Sequence, residues 1–352
     1  MLTSAIPNHL QCPRTQPAHL PNPDFQPPYP CHTIRFPENI SQLVIAIIGA
    51  QHKPEATTTA TSRSTLTSFL ATPSTAPPSF FEFATVTDNK GYHNLTALAY
   101  FPSKPAYETW ASQSGFQTWW QSLDPSTSTN GWFLEVFFPP TDRFETLFNT
   151  PTGLEGSAHM GSMGPDEIQE HGYWGSMRDR LPLSQTDSLT GDKTHQSHTD
   201  TTTRRVVVPG KQNLTVIRSG QDWSSTTPTE RKLYLETMHP VLTKGMDFLR
   251  DHGDEVGCYS CRLMEVVDTE TGTTEGVDRT FGLAYFDELA SLEGWSREHE
   301  THLAIWGGFM RYAKTLGGDV TLKVFHEVMV LSEEQQYFEY VGCHEGTGVL
   351  GR

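Results

Sequence analysis

Apolar positions along the chain recur with the periods of strands and helices in two similar stretches. In the first stretch the alternation predicts strands at 43–50, 94–101 and 132–138, with a helix at 105–123. In the second it predicts strands at 213–219, 258–266, 280–286 and 321–331, with helices at 228–252 and 287–314. The helix at 228–252 begins with the capping box Thr227-Pro228-Thr229-Glu230, and Pro240 should kink it.

A short internal repeat connects the two stretches. Leu98-Ala99-Tyr100-Phe101 recurs as Leu283-Ala284-Tyr285-Phe286, and Trp110 and Trp295 each lie nine residues after the phenylalanine of their own copy. We interpret this match as a structural duplication. Each stretch then approximates β-α-β-β-α-β, the split ferredoxin-like unit. The pattern predicts an α+β fold in which two such sheets pack face to face or close into a barrel.

The remaining segments predict how the chain is divided. Residues 1–36 are rich in proline and contain few periodic apolar positions, which indicates an extended N-terminal arm lying on the body. We therefore expect the arm at 1–36, a first ferredoxin-like half at 37–150, a connecting segment at 151–212 and a second half at 213–352.

Composition and charge exclude several classes of partner. The chain has 25 basic and 41 acidic residues, a formal net charge of −16, so we expect neither nucleic acid nor an anionic membrane surface to bind it. The first 20 residues lack the apolar run of a signal peptide, and Leu43–Ala50 is too short to cross a bilayer. Five cysteines form no framework spacing, which favours free thiols and a cytoplasmic location.

Two histidines lie at positions where an imidazole could do chemistry. On the predicted helix, His302 shares an apolar stripe with Trp306 and Phe309, which suits a core histidine or an axial haem ligand. His299, one turn earlier, could form a zinc pair with His302, although its acidic neighbours favour a solvated position. On the predicted strand 321–331, His326 shares its face with apolar residues, which suits either a buried structural histidine or an acid–base group.

Two further segments carry candidate ligand-binding residues. Ser219 ends a predicted strand just before Gly220, and no G-x-S-x-G motif surrounds it, so a hydrolase nucleophile is not indicated. The segment Glu170 to Arg180, EHGYWGSMRDR, combines aromatic residues, glycines and two arginines in a predicted loop. Such segments often line ligand sites, although a surface turn held by salt bridges fits equally well.

Taken together, the chain resembles the aldoxime dehydratase family, which includes the phenylacetaldoxime dehydratases. The resemblance runs through nearly the whole chain in the same order, and EHGYWGSMRDR and RSGQDW are its longest matches. The matching segments are HLQCPRT at 9–15, RFETLF at 143–148, EHGYWGSMRDR at 170–180, SQTD at 184–187, IRSGQDW at 217–223, GMDFLRD at 245–251, THL at 301–303 and FHEV at 325–328.

The resemblance implies a fold, a cofactor and a reaction. It implies a dimeric α+β barrel of two ferredoxin-like halves, and haem b that is ferrous in the active state. The implied reaction dehydrates an aldoxime, bound to the haem iron through its nitrogen, to a nitrile. The substrate would be the small-molecule partner, and the resemblance also allows a homodimer.

The resemblance also implies a role for each candidate residue. His302, in THL, becomes the proximal ligand of the haem iron, and His326, in FHEV, becomes the distal acid–base catalyst. Ser219 would hydrogen-bond the substrate hydroxyl. Arg180 and Glu145 would complete the distal network, with Arg178 as the alternative arginine.

Three rival interpretations remain open from the sequence. A haem sensor or carrier would need His302 but gives no reason for Ser219, His326 and Arg180. A haem peroxidase or dismutase of a related α+β barrel would also use a distal arginine. A zinc hydrolase would use His299 with His302. Within the aldoxime interpretation, the sequence does not separate aliphatic from arylaliphatic aldoximes.

Overall fold

The protein is described by a computed structural model over residues 2–53, 59–72, 75–164, 166–194 and 198–351. Four residues of the predicted connecting segment, 165 and 195–197, lie outside these ranges. Within the described ranges the strands are β1 (Ile34–Arg35), β2 (Val44–His52), β3 (Phe80–Thr87), β4 (His93–Phe101), β5 (Gly131–Phe137), β6 (Phe144–Phe148), β7 (Ser162–Met163), β8 (Arg205–Val208), β9 (Leu214–Asp222), β10 (Cys258–Val267), β11 (Arg279–Phe286), β12 (Lys323–Leu331) and β13 (Gln336–Val341).

Helices lie between these strands, including the three places at which the pattern predicts them. In the described ranges they are α1 (Thr59–Leu70), α2 (Lys104–Gln113), α3 (Phe116–Ser122), α4 (Ser176–Arg180), α5 (Pro228–Leu233), α6 (His239–His252), α7 (Leu289–Glu298) and α8 (Glu300–Thr315). No helix among the described residues is long and apolar enough to cross a membrane.

Eleven of the described strands form one antiparallel sheet. Its order is β6-β12-β9-β11-β10-β3-β4-β2-β5-β13-β8. The sheet contains the same arrangement twice, because β5-β2-β4-β3 and β12-β9-β11-β10 are both in the order fourth, first, third, second strand of their unit. We call these units the first repeat, 44–137, and the second repeat, 214–331. They meet where β3 pairs with β10.

The two repeats share a core that also contains paired charges. The sheet curls so that one apolar cluster takes residues from both repeats. Tyr100 of the first repeat donates to Glu327 of the second at 2.9 Å, and Tyr285 of the second donates to Glu135 of the first at 2.6 Å. Both tyrosines come from the repeated Leu-Ala-Tyr-Phe motif. The duplication seen in the sequence therefore produces a reciprocal pair of contacts.

Each of these buried glutamates also faces a guanidinium. Arg262 binds both oxygens of Glu135 at 2.7 Å, and Arg218 lies 3.4 Å from Glu327. Burial would raise the pKa of Glu135, but the charge of Arg262 and the hydrogen bonds to the carboxylate outweigh it and hold the pKa below its usual value. Charged side chains remain ionised in a protein core only when they are paired in this way.

Every predicted strand is present, but the predicted helices are interrupted. The helix expected at 105–123 divides at Gly115, whose φ of 81° is the left-handed conformation that glycine accepts. The helix expected at 287–314 divides at His299, whose backbone is extended and whose Nδ1 accepts a hydrogen bond from the Thr301 N–H as a helix cap. The continuous helices predicted there were wrong, because local caps ended them.

The third predicted helix, 228–252, contains a π-helical turn at Tyr234–Met238 just before Pro240. Proline has no N–H to donate and its ring crowds the preceding turn, so a widened turn is a physical response to it. Of the large sheet, the strands β3, β6, β8 and β13 were not predicted, and neither were the two-residue strands β1 and β7. Three of them, β6, β8 and β13, lie at or next to the sheet edges and have no more than six residues each.

Candidate active site

Ser219 and His326 lie side by side on one face of the second repeat. They are directly paired in the antiparallel ladder between β9 and β12. Side chains of directly paired residues lie on the same face, with Cβ atoms about 5 Å apart. The side chain of His326 is 20% exposed, so its ring is accessible from the space above this face.

A third strand and a short helix bring a carboxylate and a guanidinium to His326. The edge strand β6 pairs with β12 and places Glu145 Oε1 2.9 Å from His326 Nε2. Arg180, the last residue of α4, donates from Nε to Glu145 Oε2 at 2.7 Å and has its Nη2 3.0 Å from His326 Nε2. The predicted loop 170–180 thus ends in a helical turn, which carries Arg180 into this cluster.

The electrostatics of this cluster keep Glu145 ionised. Burial would raise the pKa of Glu145, yet the charge of Arg180 and the hydrogen bonds from His326 and Arg180 hold the pKa below its usual value. Burial alone would lower the pKa of Arg180, but Glu145 raises it. A fully buried carboxylate and guanidinium thus maintain each other's charge.

The imidazole of His326 has a partner for each of its protonation states. Nε2–H can donate to Glu145 in both the imidazolium and the neutral ring, and Arg180 Nη2 can donate to Nε2 only in the tautomer that leaves Nε2 bare. With Nε2–H held by Glu145, the ring can gain or lose its second proton at Nδ1 without moving these neighbours. This is the property that a general acid–base group needs.

His302 lies in the first turn of α8 with a neutral ring. Burial lowers the pKa of His302 to about 4, and the backbone carbonyl of Ser296 opposes this shift. Its Nδ1 is buried and makes no hydrogen bond of ordinary geometry to any described residue. Trp295 packs against the ring with the two centroids 4.8 Å apart.

Two apolar clusters join β12, the strand of His326, to the helices α7 and α8. On the face of β12 that carries His326, Val328 packs in a cluster with Trp295 of α7, and Val324 packs against a cluster that includes Tyr312 of α8. His326 lies between the two valines along the strand, and His302 lies between the tryptophan and the tyrosine along the chain. The strand that carries His326 therefore packs against residues on both sides of His302 in the sequence.

The surroundings of His302 suit a large, flat, apolar group such as haem. Leu303, Trp306 and Met310 are 42%, 36% and 44% exposed, although side chains of this kind are usually covered. Trp174 is 45% exposed and lies 6.3 Å, centroid to centroid, from both His302 and Trp306. A neutral imidazole beside exposed apolar and aromatic side chains fits the axial ligation of a porphyrin.

The structure distinguishes the two candidate arginines and the two candidate histidines. Arg180 is in the cluster with His326, whereas Arg178 forms a bidentate ion pair with Glu293 of α7, the closest contact being 2.7 Å. His299 stacks on Phe248 with centroids 4.0 Å apart. No group of three or more potential metal-ligating side chains occurs among the described residues, and thus nothing there supports a zinc site built on His299.

Sequence reasoning missed His171, although it lies within a segment that had been singled out. His171 is 1% exposed, and neither ring nitrogen has a hydrogen-bond partner among the described residues. Burial, then the charge of Arg180, lower the pKa of His171 to about 4. The pattern EHGYW contained the residue, but no periodicity there could indicate that its side chain faces inward.

Comparisons with known proteins identify the family. The family model described as haem-containing dehydratase matches residues 46–349. The chain is 36% identical to an aliphatic aldoxime dehydratase of Rhodococcus globerulus over 99% of this chain and 98% of that protein. It is 33% identical to a phenylacetaldoxime dehydratase of Bacillus sp. (strain OxB-1) over 74% of each chain.

Solved structures give the same result for the fold. A crystal structure of an aldoxime dehydratase in complex with butyraldoxime superposes with a TM-score of 0.91 at 36% identity, covering 99% of this chain and 96% of that one. A second aldoxime dehydratase crystal structure gives 0.90 at 38% identity, with 99% and 98% covered. With a family model over most of its length and relatives that match from end to end, this chain belongs to the haem-containing dehydratase family.

Proposed function

We propose that this protein is a haem-dependent aldoxime dehydratase, a lyase that converts R-CH=N-OH to a nitrile and water. One observation carries the proposal: Ser219, His326, Glu145 and Arg180 come from four separate chain segments and lie together on one face of the sheet. The relatives named above are aldoxime dehydratases, and one was crystallised with butyraldoxime, so an aldoxime is the substrate that we propose here.

In this proposal His302 holds the iron of haem b, which is ferrous in the active state. Haem, when bound there, would supply an electron-rich iron able to bind the oxime nitrogen and to weaken the N–O bond. A neutral imidazole is required for ligation, and the low pKa of His302, about 4, keeps the ring neutral at physiological pH. Leu303, Trp306 and Met310 would cover the apolar part of the group.

The distal residues then transfer one proton to the substrate's oxygen and take one proton from its carbon. Hydroxide is a poor leaving group, so the imidazolium of His326 protonates the hydroxyl oxygen while Ser219 donates a hydrogen bond to that oxygen. The N–O bond breaks and water leaves. His326, now neutral, takes the proton from the aldoxime carbon as the triple bond forms, which restores the starting protonation state. Atoms balance without an external proton or electron.

Glu145 and Arg180 prepare His326 for both proton transfers. Glu145 accepts a hydrogen bond from Nε2–H, which fixes the ring and leaves Nδ1 as the nitrogen that gives and takes the mobile proton. Arg180 holds the Glu145 carboxylate in place through two contacts, at 2.7 and 3.3 Å. Without that cation the buried carboxylate would lose its charge and its hold on the imidazolium.

We also propose the finer architecture that the resemblance implies. The strand order of each repeat and the reciprocal tyrosine–glutamate contacts support a dimeric α+β barrel of two ferredoxin-like halves. The halves would span 37–150 and 213–352, with the arm at 1–36 and the connecting segment at 151–212. All five cysteines are free thiols, which supports a reducing, cytoplasmic location.

The test is product analysis on the purified, haem-loaded protein. Under reducing conditions with an aliphatic and an arylaliphatic aldoxime, we expect nitrile formation and negligible peroxide turnover. Peroxide turnover without nitrile would favour the peroxidase alternative, and haem binding with neither activity would favour a sensor or carrier. The relative rates on the two aldoximes then define the substrate preference.

A further inference from the structure

The N-terminal arm contacts the chain segment that presents Arg180. We call residues 166–186 the distal segment, because it contains α4 and the site's arginine. Thr3 exchanges backbone hydrogen bonds with Glu167 and Gln169 at 2.9 and 3.0 Å, and the Ile168 N–H donates to the Cys31 carbonyl at 2.9 Å. Both ends of the arm therefore bind the start of this segment.

Glu170 links the arm to Arg180, because its side chain contacts the arm and its backbone carbonyl contacts Arg180. Its carboxylate accepts hydrogen bonds from Ser4 Oγ at 2.9 Å and from the Ala5 N–H at 2.7 Å. Its backbone carbonyl accepts a hydrogen bond from Arg180 Nη1 at 2.8 Å. The guanidinium of Arg35 donates to the carbonyls of Ser4 and Ala5 from the other side. Residues 4 and 5 are thus held between an anion and a cation.

The far end of the distal segment is held in the same way. The N–H of His19 donates to both oxygens of Asp179, the neighbour of Arg180, at 2.9 and 3.1 Å. Gln185 accepts from the N–H of Cys12 at 3.1 Å and donates to the Leu10 carbonyl at 2.9 Å. The arm therefore fixes the chain on both sides of Arg180.

The distal segment has little regular structure with which to hold itself. Residues 166–175 contain a single β-bridge, at Ile168, and Gly172 and Gly175 have φ of 80° and 94°. Segments of this kind open locally at low free energy unless other parts of the chain hold them. Arg180 makes its contacts with Glu145 and His326 from the end of this segment, so the arm limits its freedom together with the ion pair of Arg178 with Glu293.

We propose that the arm is a positioning element for the reaction, and that Glu170 transmits its grip to Arg180. The inference rests on the proposed function, since it assigns Arg180 to the distal cluster of an aldoxime dehydratase. Releasing Glu170 lets Arg180 withdraw from Glu145 and His326 while the helix that carries His302 is untouched. Proton transfer is then impaired and haem is retained.

The experiment compares Glu170→Ala and Glu170→Gln with Glu38→Ala in the full-length, haem-loaded protein. Glu38 is an exposed arm-adjacent glutamate with no hydrogen bond or ion pair to any described residue, which makes it a matched control. For Glu170→Ala we expect kcat per haem to fall about tenfold with KM changed less than about twofold, since hydrogen bonds to a charged group are lost. Glu170→Gln should recover part of the rate, and the Soret band should not change.

A pH profile separates positioning from simple loss of stability. Withdrawal of Arg180 removes the cation that holds the pKa of Glu145 down, so the acid limb of kcat should move to higher pH in Glu170→Ala. Backbone amides of residues 170–180 should also exchange with deuterium faster than in wild type. If Glu170→Ala folds poorly, Ser4→Ala removes one of the same hydrogen bonds and should give about a twofold effect on kcat with the same faster exchange.

The proposal is overturned if Glu170→Ala and Ser4→Ala match Glu38→Ala in kcat, pH profile and exchange. Failure of the proposed function looks different, because wild type would then form no nitrile at all. In that case the exchange comparison still tests whether the arm holds the distal segment. If an Arg180→Met variant kept full activity, Arg180 would have no role in the mechanism, while the result of the exchange comparison would still stand.

Discussion

The two repeats have the same framework, yet among the described residues the second alone carries Ser219 and His326 of the proposed site. Their registers match through the repeated motif: Ile47 and Arg218 pair with the leucines that begin it, and Ile47 also pairs with Glu135 as Arg218 pairs with Glu327. The next ladder pair is Ile48 with Leu134 in the first repeat and Ser219 with His326 in the second. Two apolar residues thus occupy the positions of the two polar ones.

The helices above these positions differ in the same sense. In the first repeat α3 has seven residues, and its Phe116 and Trp120 pack with Trp110 and Leu134 into one sealed cluster. In the second repeat α8 has sixteen residues and presents His302 beside exposed apolar side chains. A duplicated framework therefore carries a closed core in the first repeat and exposed apolar side chains around the proposed site in the second.

The difference between the two repeats is tested most directly by giving the second repeat the residue of the first. His326→Leu replaces the proposed acid–base group by the residue equivalent to Leu134 and is compatible with an apolar strand face. Because general acid–base catalysis contributes about 10²- to 10⁴-fold, we expect the rate of nitrile formation to fall by that factor while haem stays bound. Rate assays beside an absorption spectrum measure both; nitrile formation near the wild-type rate would refute the role of His326.

The shared buried network can be compared across the repeats with a matched pair of variants. Glu135→Gln leaves Arg262 without its carboxylate, and we expect a loss of about 3–5 kcal/mol in the free energy of unfolding. Glu327→Gln should cost less, because Arg218 keeps its ion pairs with Glu82 and Glu155. Urea unfolding measures both, and the reverse order would show that the repeats do not use their networks in this way.

The distal segment carries a buried imidazole, that of His171, which should make the stability of the protein depend on pH. The pKa of His171 is lowered from 6.5 to about 4, so between these values the unfolded chain binds a proton there that the folded chain does not. Stability should therefore fall as pH decreases from about 6.5 towards 4, with His171 contributing about 2 kcal/mol between pH 6.5 and 5. Urea midpoints for wild type and His171→Asn at pH 7 and 5 test this, and an equal fall in both proteins would contradict it.

The smallest effect concerns the other polar residue of the site. Ser219→Ala removes the hydrogen bond proposed to hold the substrate hydroxyl, and a hydrogen bond of this kind is worth about 1 kcal/mol. We expect kcat/KM to fall about tenfold or less, with stability unchanged. Steady-state kinetics on one aldoxime suffice, and a loss as large as that of His326→Leu would mean that the serine has a larger role than orientation.

The sequence predicted the framework better than its boundaries. Long strands such as β4 and β12 showed their alternation clearly, because each buries at least one full face. The short edge strand β6 was missed, although it places Glu145 beside His326, because five residues give too little periodicity to recognise. The breaks at Gly115 and His299 depend on local caps, which an apolar stripe does not reveal.

The candidate residues were found in two ways. The positions of His302 and His326 on apolar faces could be read from periodicity, but the packing of β12 against α7 and α8 joins distant segments and could not. Glu145 had no periodic signal and came from the family resemblance alone, whereas Arg180 lay in a segment singled out for its composition and was given its role by the resemblance. The arm's hold on Glu170 links residues 165 positions or more apart and left no pattern in the sequence.

The most direct test of the account is the absorption spectrum of the purified ferrous protein, with and without an aldoxime, for wild type and His302→Ala. We predict a Soret band in wild type that shifts when the aldoxime is added and is followed by nitrile formation. His302→Ala should lose this native coordination. A colourless wild type that cannot be reconstituted with haem, or a His302→Ala variant with an unchanged spectrum and activity, would contradict the account.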